Sequence, residues 1–230
     1  MTGVVTTRTH EAYVEIRRRI IELEMPPGSQ FSEGELAADL GLSKTPIREA
    51  LGRMRQEGLV EAVARSGYRV SPVTVKDARD LFALRSILEG EAAALAADRG
   101  ADLQALRELD RLCKTSYDPK DQSSITAFLR ANTIFHVTLA TLGGNERLAT
   151  MLEQVLVQLE RLFRLGLSFR SRANEMIHEH TELLSAVKAG DADAARKVAV
   201  GQASTSQLMV LEALLESDAV QSTNIAATRN

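Results

Sequence analysis

The chain is poor in the residues that build disulfide scaffolds and all-β folds. It has 230 residues, with one cysteine, no tryptophan, 14 glycines and five prolines, and aromatic residues make up 4% of it. The single cysteine, Cys113, excludes an internal disulfide and favours a reducing compartment. So few glycines and prolines leave little material for the tight turns of a β-sandwich. The composition therefore predicts a mainly α protein with a core of aliphatic side chains.

Long apolar stretches are also missing from the sequence. No uninterrupted apolar run approaches the roughly 18 residues that a membrane helix needs. The first residues include His10 and Glu11 and lack the apolar core of a signal peptide. We therefore expect a cytoplasmic protein with no membrane partner.

Acidic and basic residues are unevenly distributed, although the formal net charge is only −3. Residues 20–40 contain five acids and no base, whereas residues 44–69 contain six bases and three acids. A local excess of bases in one segment of a nearly neutral chain is typical of a compact DNA-binding module.

Turn and cap residues divide the first third of the chain into three helices. Pro26-Pro27-Gly28 ends the first helix, and Ser32 with Glu35 has the spacing of a capping box that opens the second. Thr45 is the predicted N-cap of the third helix, with Pro46 at its first position. The result is a long helix, a short helix, a tight turn and a further helix.

The hydrophobic period then shortens to that of two strands, residues 59–63 and 68–70, which predict a β-hairpin. Helices followed by a hairpin have the order of a winged helix-turn-helix. After the hairpin only helical patterns remain. We predict a winged helix-turn-helix DNA-binding domain at 1–72, a hinge at 73–76, an antiparallel all-helical bundle for effector binding and dimerisation at 77–217, and a disordered tail at 218–230.

The third helix has the pattern of a recognition helix, with apolar residues on one face and Arg48 and Arg53 beside the other. Arg48 lies near its N-terminal end, where a guanidinium can pair with O6 and N7 of guanine together. The start of the helix suits phosphate, and the hairpin tip suits the minor groove and the DNA backbone. A solvated helix face is the alternative. The predicted DNA-binding residues are Ser43, Lys44, Thr45, Arg48, Arg53, Arg65 and Gly67.

The stretch from Met25 to Val70 resembles the N-terminal domain of the GntR family of bacterial transcription regulators. The segments that carry the resemblance are Pro27-Gly28, Glu35-Leu36-Ala37, Leu42 to Leu51 and Glu57-Gly58-Leu59-Val60. The resemblance implies operator binding, with Arg48 as the base-reading arginine and residues 43–45 as groove and phosphate contacts. Lys44 replaces the arginine that is more usual at its position, and Gly34 stands where members often carry a long polar side chain.

The second half resembles the C-terminal domain of the FadR branch of that family, the FCD domain. The matching segments are Asp80 to Glu89, Asn132 to His136, Gly144-Asn145, Glu179-His180 and Ala189-Gly190-Asp191. In many members an Asp or Asn, a His four residues later, a second His and a third His on the last helix bind a divalent metal. The resemblance implies Asn132, His136 and His180 as metal ligands, and it places Gln202 where the last imidazole would stand.

Helical spacing alone, independently of the family resemblance, predicts part of this arrangement. Asn132 and His136 are four apart and share one helix face. His178 and His180 are two apart, so only one of them is expected to face the same cavity as His136. The alternative is a hydrogen-bonded core histidine at 136 and a surface histidine at 180. The resemblance selects His180.

Two uses of this cavity remain open at this stage. Two imidazoles and two amides without an anionic ligand would hold Zn²⁺ or Ni²⁺ only weakly. The cavity could instead bind its effector by hydrogen bonds, with Arg85, Arg161 or Arg164 clamping a carboxylate. An ordinary surface pair of Arg85 with Glu89 is the competing role of that arginine. The predicted effector-binding residues are Arg85, Asn132, His136, His180 and Gln202.

These patterns together predict a ligand-responsive transcription regulator. We expect a repressor that binds a double-stranded DNA operator as a homodimer and responds to a small carboxylate-type metabolite. The alternative is a metal-dependent enzyme that uses the His136/His180 cavity. No G-x-S-x-G, H-E-x-x-H or glycine-rich phosphate loop is present, so we predict no enzymatic activity. A purely architectural DNA-binding protein would leave the helical bundle unexplained.

Overall fold

A computed structural model describes residues 7–64, 66–115, 118, 121–169 and 173–216, with no side-chain description at 115, 165–169, 173–179, 213 and 216. The chain divides into two compact units, the first ending at Val73 and the second beginning at Thr74. The predicted tail at 218–230 lies outside the described residues.

The first unit has the predicted order of helices and hairpin. Its elements are α1 (Arg8–Ile21), β1 (Gln30–Phe31), α2 (Glu33–Leu40), α3 (Lys44–Gln56), β2 (Val60–Val63) and β3 (Gly67–Val70). The strands form an antiparallel sheet in the order β1-β3-β2. The sequence missed β1, because a two-residue strand is too short to show an alternating pattern.

The helix starts show one correct and one wrong prediction. The capping box of α2 is present: Glu35 donates its backbone N–H to the Ser32 hydroxyl, and Ser32 donates its own to the Glu35 carboxylate. Helix α3 begins at Lys44 with Ser43 as its N-cap, so the prediction of Thr45 as the cap is wrong. Pro46 is the third helical residue. Its missing N–H is tolerated there because no N–H of the first turn has an acceptor within the helix.

Helix α3 packs on α1 through the apolar stripe that the sequence indicated. Ile47, Leu51 and Met54 are completely buried, as are Ile16 and Ile20 of α1. Burial of each such side chain contributes roughly 1.5–3 kcal/mol. This packing orients α3 so that its opposite, polar face is exposed.

The second unit is all helical over its described residues. Its elements are α4 (Val75–Asp98), α5 (Gln104–Thr115), α6 (Gln122–Leu142), α7 (Glu146–Phe169), α8 (Ala173–Lys188) and α9 (Ala192–Glu216). Thr74 caps α4 by accepting the backbone N–H of Asp77. The predicted hinge at 73–76 therefore overlaps the first turn of α4, and the linker itself ends at Thr74.

Small residues on α4 allow close helix packing in this unit. Ala93, Ala96 and Ala97 are buried with Phe135 of α6 and Leu183 of α8 in one apolar cluster. At Gly90 an added Cβ would lie 3.0 Å from the side chain of Val200 on α9, so the absence of a side chain at 90 lets α9 pack closely on α4 there. The predicted fold class, mainly α with an N-terminal winged helix-turn-helix and a C-terminal helical domain, is confirmed.

One helix is more apolar than the absence of long apolar runs suggested. Among the described residues, α6 is the one helix long and apolar enough to cross a membrane by length and composition. Phe128, Leu129, Phe135 and Leu139 of this helix are buried inside the helical unit. Packing in the core accounts for the apolar character of α6. Its mean hydropathy is high although polar residues interrupt it, so the sequence showed no uninterrupted apolar run.

Candidate functional site

The exposed face of α3 carries most of the residues predicted to contact DNA. Ser43, Lys44, Thr45, Arg48 and Arg53 are all exposed, while the apolar stripe of the same helix is buried. The helix therefore presents hydroxyls and positive charge to solvent at its N-terminal end. That arrangement suits entry into a DNA major groove.

Arg48 is held by a carboxylate that the sequence analysis did not identify. Its Nε lies 3.0 and 3.1 Å from the two carboxylate oxygens of Glu33, and its Nη2 lies 2.8 Å from Oε2. The Arg48 side chain is 65% exposed and that of Glu33 only 19%. The hydrogen bonds from Arg48 lower the pKa of the Glu33 carboxyl. The two residues are 15 positions apart, and no periodic pattern connects them.

Strand β3 of the hairpin, the wing strand, also contacts Glu33. The Tyr68 hydroxyl of β3 donates to Oε1 of Glu33 at 3.3 Å, and the Tyr68 ring stacks on Phe31 of β1 with centroids 6.1 Å apart. Burial, and then the Glu33 charge, raise the pKa of Tyr68. One carboxylate thus joins α2, α3 and β3.

Arg53 is engaged within the unit. It donates to Glu57 at 2.9 Å and lies 3.8 Å above the ring of Tyr13 on α1. The Tyr13 hydroxyl donates to the same carboxylate, and burial together with this bond raises the pKa of Tyr13 to about 12. The predicted DNA contact of Arg53 stays a prediction, alongside this role in joining α1 to α3.

Two of the predicted DNA-binding residues, Arg65 and Gly67, belong to the β2–β3 hairpin, which is the wing. Arg65 lies outside the described residues. Gly67 has a φ of +93°, and an added Cβ would lie 2.6 Å from the carbonyl oxygen of Phe31. Glycine is therefore required at 67 by the close approach of β1 to β3 and by the backbone conformation, whatever its role at DNA.

The second unit contains a buried polar cluster that includes four of the five predicted effector residues: Arg85, Asn132, His136 and His180. The two imidazole rings have centroids 5.3 Å apart. Nε2 of His180 lies 3.1 Å from Oδ1 of Asn132, and Nη2 of Arg85 lies 3.5 Å from Nε2 of His136. The fifth residue, Gln202, is buried on α9, and its place in the lining stays a prediction.

A carboxylate lies beside each imidazole of the cluster. Oε1 of Glu89 lies 3.3 Å from Nδ1 of His136, and Oδ1 of Asp110 lies 3.5 Å from Nδ1 of His180. Asp110 had a detectable signal, because it interrupts the apolar stripe of α5 formed by Leu106 and Cys113, which are both buried.

Arg85 and Glu89 form a buried ion pair, so the alternative of a surface pair is wrong. Nε of Arg85 donates to Oε1 of Glu89 at 2.8 Å, and each side chain is 2% exposed. Burial raises the pKa of the Glu89 carboxyl, and the guanidinium of Arg85 counters that effect. Burial, and next the charge of Arg85, hold the pKa of His136 well below its usual value, so its imidazole is neutral at pH 7.

The other two arginines considered for the cavity are buried on α7. Arg164 donates to Gln122 at 3.1 Å and to Thr126 at 2.8 Å, both on α6. Burial lowers the pKa of Arg161 to about 10. Arg164 therefore joins α7 to α6, whereas Arg85 lies beside His136.

The donor set of the cluster fits a divalent cation only in part. Both Nδ1 atoms lie near carboxylates but make no hydrogen bond, so the contact that orients metal-binding histidines is incomplete. The guanidinium of Arg85 is a competing cation beside Nε2 of His136. The described residues contain no group of three or more His, Cys, Asp or Glu side chains placed to hold a metal. Metal binding by Asn132, His136 and His180 stays a prediction.

Comparison with known proteins gives matches over both units. The family model described as bacterial regulatory proteins, gntR family, matches residues 8–70, and that of the FCD domain matches residues 80–202. An HTH-type transcriptional regulator in an unstable DNA locus of Streptomyces ambofaciens is 33% identical over 194 residues, which are 83% of this chain and 79% of that protein. A probable D-xylose utilization operon transcriptional repressor of Paenarthrobacter nicotinovorans is 28% identical over 177 residues, 76% of each chain.

A solved structure shares the fold. The crystal structure of a putative transcriptional regulator GntR from Rhodococcus sp. RHA1 superimposes with a TM-score of 0.75 at 24% identity, over 90% of this chain and 99% of that one. At that identity the likeness concerns the fold alone.

Proposed function

Since the chain belongs to the GntR family of bacterial regulatory proteins and carries an FCD domain, it is a DNA-binding transcription regulator and not an enzyme, and we propose that it is a repressor controlled by a small carboxylate-type metabolite. We further propose that it acts in the cytoplasm as a homodimer. The enzyme alternative for the His136/His180 cavity is thereby set aside.

The buried polar cluster of the helical unit carries the proposal of effector binding. Among the described residues, the buried atoms without a hydrogen-bond partner include Nη1 of Arg85, Oε2 of Glu89 and Nδ1 of His136. Buried polar atoms are nearly always hydrogen-bonded, and an unsatisfied one costs roughly 1–3 kcal/mol. A polar ligand that supplies the missing partners would therefore bind with a gain in stability.

The chemistry of the cluster favours a carboxylate. Arg85 retains an unused N–H donor at Nη1, and the neutral His136 and Asn132 add groups that adapt to either hydrogen-bonding role. Regulation requires in addition that the effector bind one DNA-binding state of the dimer more tightly than the other.

A divalent metal is the second part of the proposal, as a weakly held ion. Asn132, His136 and His180 would be its ligands, with Gln202 at the position of a further ligand. When bound, such an ion would supply a Lewis acid that attracts an effector carboxylate. Amide oxygens are poor ligands for Zn²⁺ or Ni²⁺, so we expect the ion to leave under mild chelation.

The proposal of repression rests on the name of a relative, and the proposal of a dimer rests on the symmetry of operator recognition. The relative from Paenarthrobacter is named as a probable repressor. One winged helix offers few base contacts, whereas two related by a twofold axis match a palindromic operator. A light-scattering mass of one chain, independent of concentration and combined with tight operator binding, would contradict the dimer.

Thermal shift of the full chain tests the effector site. We would add lactate, succinate, citrate or benzoate, or Zn²⁺ or Ni²⁺ alone, each with and without EDTA. A ligand at 100 times its Kd stabilises the folded state by about 2.7 kcal/mol, which raises Tm by several degrees. His136→Ala should lose the shift, and His10→Ala, on the exposed side of α1, should keep it. An equal shift in both variants would place the ligand elsewhere.

A further inference from the structure

The carboxylate of Glu33 contacts the guanidinium of Arg48 along one edge only. A guanidinium has a side edge, made by Nε and Nη2, and an end edge, made by Nη1 and Nη2. Glu33 accepts hydrogen bonds from Nε and Nη2, at 2.8 to 3.1 Å. The end edge of Arg48 therefore keeps one N–H on each of its two nitrogens.

The end edge is the part of an arginine that matches guanine. Two parallel N–H groups meet O6 and N7 in the major groove. We propose that Glu33 is a specificity-determining positioning residue, which holds Arg48 by its side edge so that the end edge reads one guanine in each half-site. This inference rests on the proposed function as a DNA-binding regulator and on the predicted role of Arg48 as its base reader.

Glu33 is itself held rigidly enough for this role. It is the first residue of α2, where a carboxylate is favoured by the helix dipole, and the capping box of Ser32 and Glu35 fixes that helix start. The Tyr68 hydroxyl binds its Oε1 from the wing strand. A base-reading arginine that is ordered before binding loses less conformational freedom on the DNA.

The same carboxylate discriminates against DNA of the wrong sequence. Where no guanine is present, Arg48 must leave Glu33 to reach a phosphate, and the carboxylate then faces the phosphate backbone. Specificity arises from such repulsion as well as from matched contacts. Removal of Glu33 should therefore weaken binding to the correct site while binding to unrelated DNA stays equal or becomes tighter.

The test measures base discrimination by the full-length protein. The probe is a duplex enriched from a random pool by the wild-type protein, beside duplexes in which each G·C pair is replaced by A·T and one of shuffled sequence. Fluorescence anisotropy at fixed salt gives each affinity. Glu33→Gln should lower the preference for one G·C pair by about tenfold, within the range of one bidentate arginine–guanine pair. Glu24→Gln removes one charge from a pair with Arg18 in the same unit, and it should leave that preference unchanged.

Two further variants separate positioning from charge. Glu33→Asp keeps the charge but shortens the reach, so it should lose discrimination as Glu33→Gln does. In an Arg48→Ala background, Glu33→Gln should cause no further loss of discrimination. Tyr68→Phe keeps the carboxylate intact and should cause a smaller loss at the same base pair, which provides a readout even where a change at 33 impairs folding.

The outcomes distinguish the failure of this inference from that of the proposed function. If Glu33→Asp behaves as wild type, or if Glu33→Gln is equally harmful without Arg48, the carboxylate does not act by positioning Arg48. If Arg48→Ala abolishes the guanine preference while Glu33→Gln retains it, the inference alone is wrong. If Arg48→Ala keeps the preference, the assignment of Arg48 as the reader is wrong as well.

Discussion

Two arginine–glutamate pairs, one in each unit, differ mainly in their access to water. The Arg48–Glu33 pair is exposed at the arginine, whereas both members of the Arg85–Glu89 pair are 2% exposed. An exposed pair contributes little to stability, because water and salt screen it, but it leaves the end edge of Arg48 accessible to a base. The buried guanidinium of Arg85 has no such access to an outside partner unless a ligand enters. The same two residue types therefore form an exposed pair in the unit proposed to read DNA and a buried pair in the unit proposed to bind an effector.

The largest expected effect is the loss of the buried pair. Glu89→Ala leaves the guanidinium of Arg85 buried without its ion partner, and we expect a loss of about 3–5 kcal/mol in the free energy of unfolding. Urea unfolding followed by far-UV circular dichroism measures it. Glu91→Ala on the same helix breaks a half-exposed pair with Arg196 and should have a far smaller effect. Equal losses in the two variants would remove the contrast between buried and exposed pairs.

The exposed pair should affect DNA binding and not folding. Arg48→Ala should bind the enriched duplex roughly 10- to 100-fold more weakly and lose preference at one base pair per half-site, with unfolding nearly unchanged. Lys44→Ala should instead weaken binding to all sequences alike. It should also reduce the magnitude of the slope of log binding constant against log salt concentration by about one. Unchanged binding by Arg48→Ala would show that another face of the unit reads the DNA.

The next effect concerns pH and the buried histidine. An unfolded histidine takes up a proton below about pH 6.5, whereas burial and the charge of Arg85 keep folded His136 neutral there. The unfolded state then binds more protons, so the contribution of His136 to stability is complete above pH 6.5 and is lost as the pH falls.

A comparison with His136→Gln isolates this contribution. Between pH 6.5 and pH 5.5 we expect wild type to lose up to about 1.4 kcal/mol per pH unit relative to the variant. Unfolding by urea at each pH measures the difference. His10→Gln changes an exposed histidine and should follow wild type. Parallel curves for wild type and His136→Gln would mean that His136 takes up protons equally in both states.

The smallest expected effect is metal retention by the cluster. After dialysis against EDTA, wild type should hold little zinc, and Gln202→His should hold more because a third imidazole joins His136 and His180. His136→Ala should hold none. The affinity of the cluster for zinc should fall as the pH drops through about 6.5, since neutral imidazole is the form that binds metal. If Gln202→His retains no more zinc than wild type, Gln202 does not face the two histidines.

Local features of the fold were predictable from the sequence, because short-range contacts produce them. The capping box of Ser32 and Glu35, the apolar stripe of α3 and the helices of the second unit each involve residues within one or two turns. Thr45 was misassigned as a cap because Ser43 and Thr45 are equally good candidates by type. The strand β1 was missed because two residues carry no period.

The partners of the site residues were decided only by the tertiary structure. Amino-acid type and spacing determined that Arg48 lies on an exposed helix face and that Asn132 and His136 share one face. Glu33 and Arg48 meet because α2 and α3 pack beside β3, and Asp110 meets His180 because α5 packs on α8. Whether an arginine is exposed or buried likewise depends on which helices cover it. Such contacts join residues distant in sequence, and no periodic pattern records them.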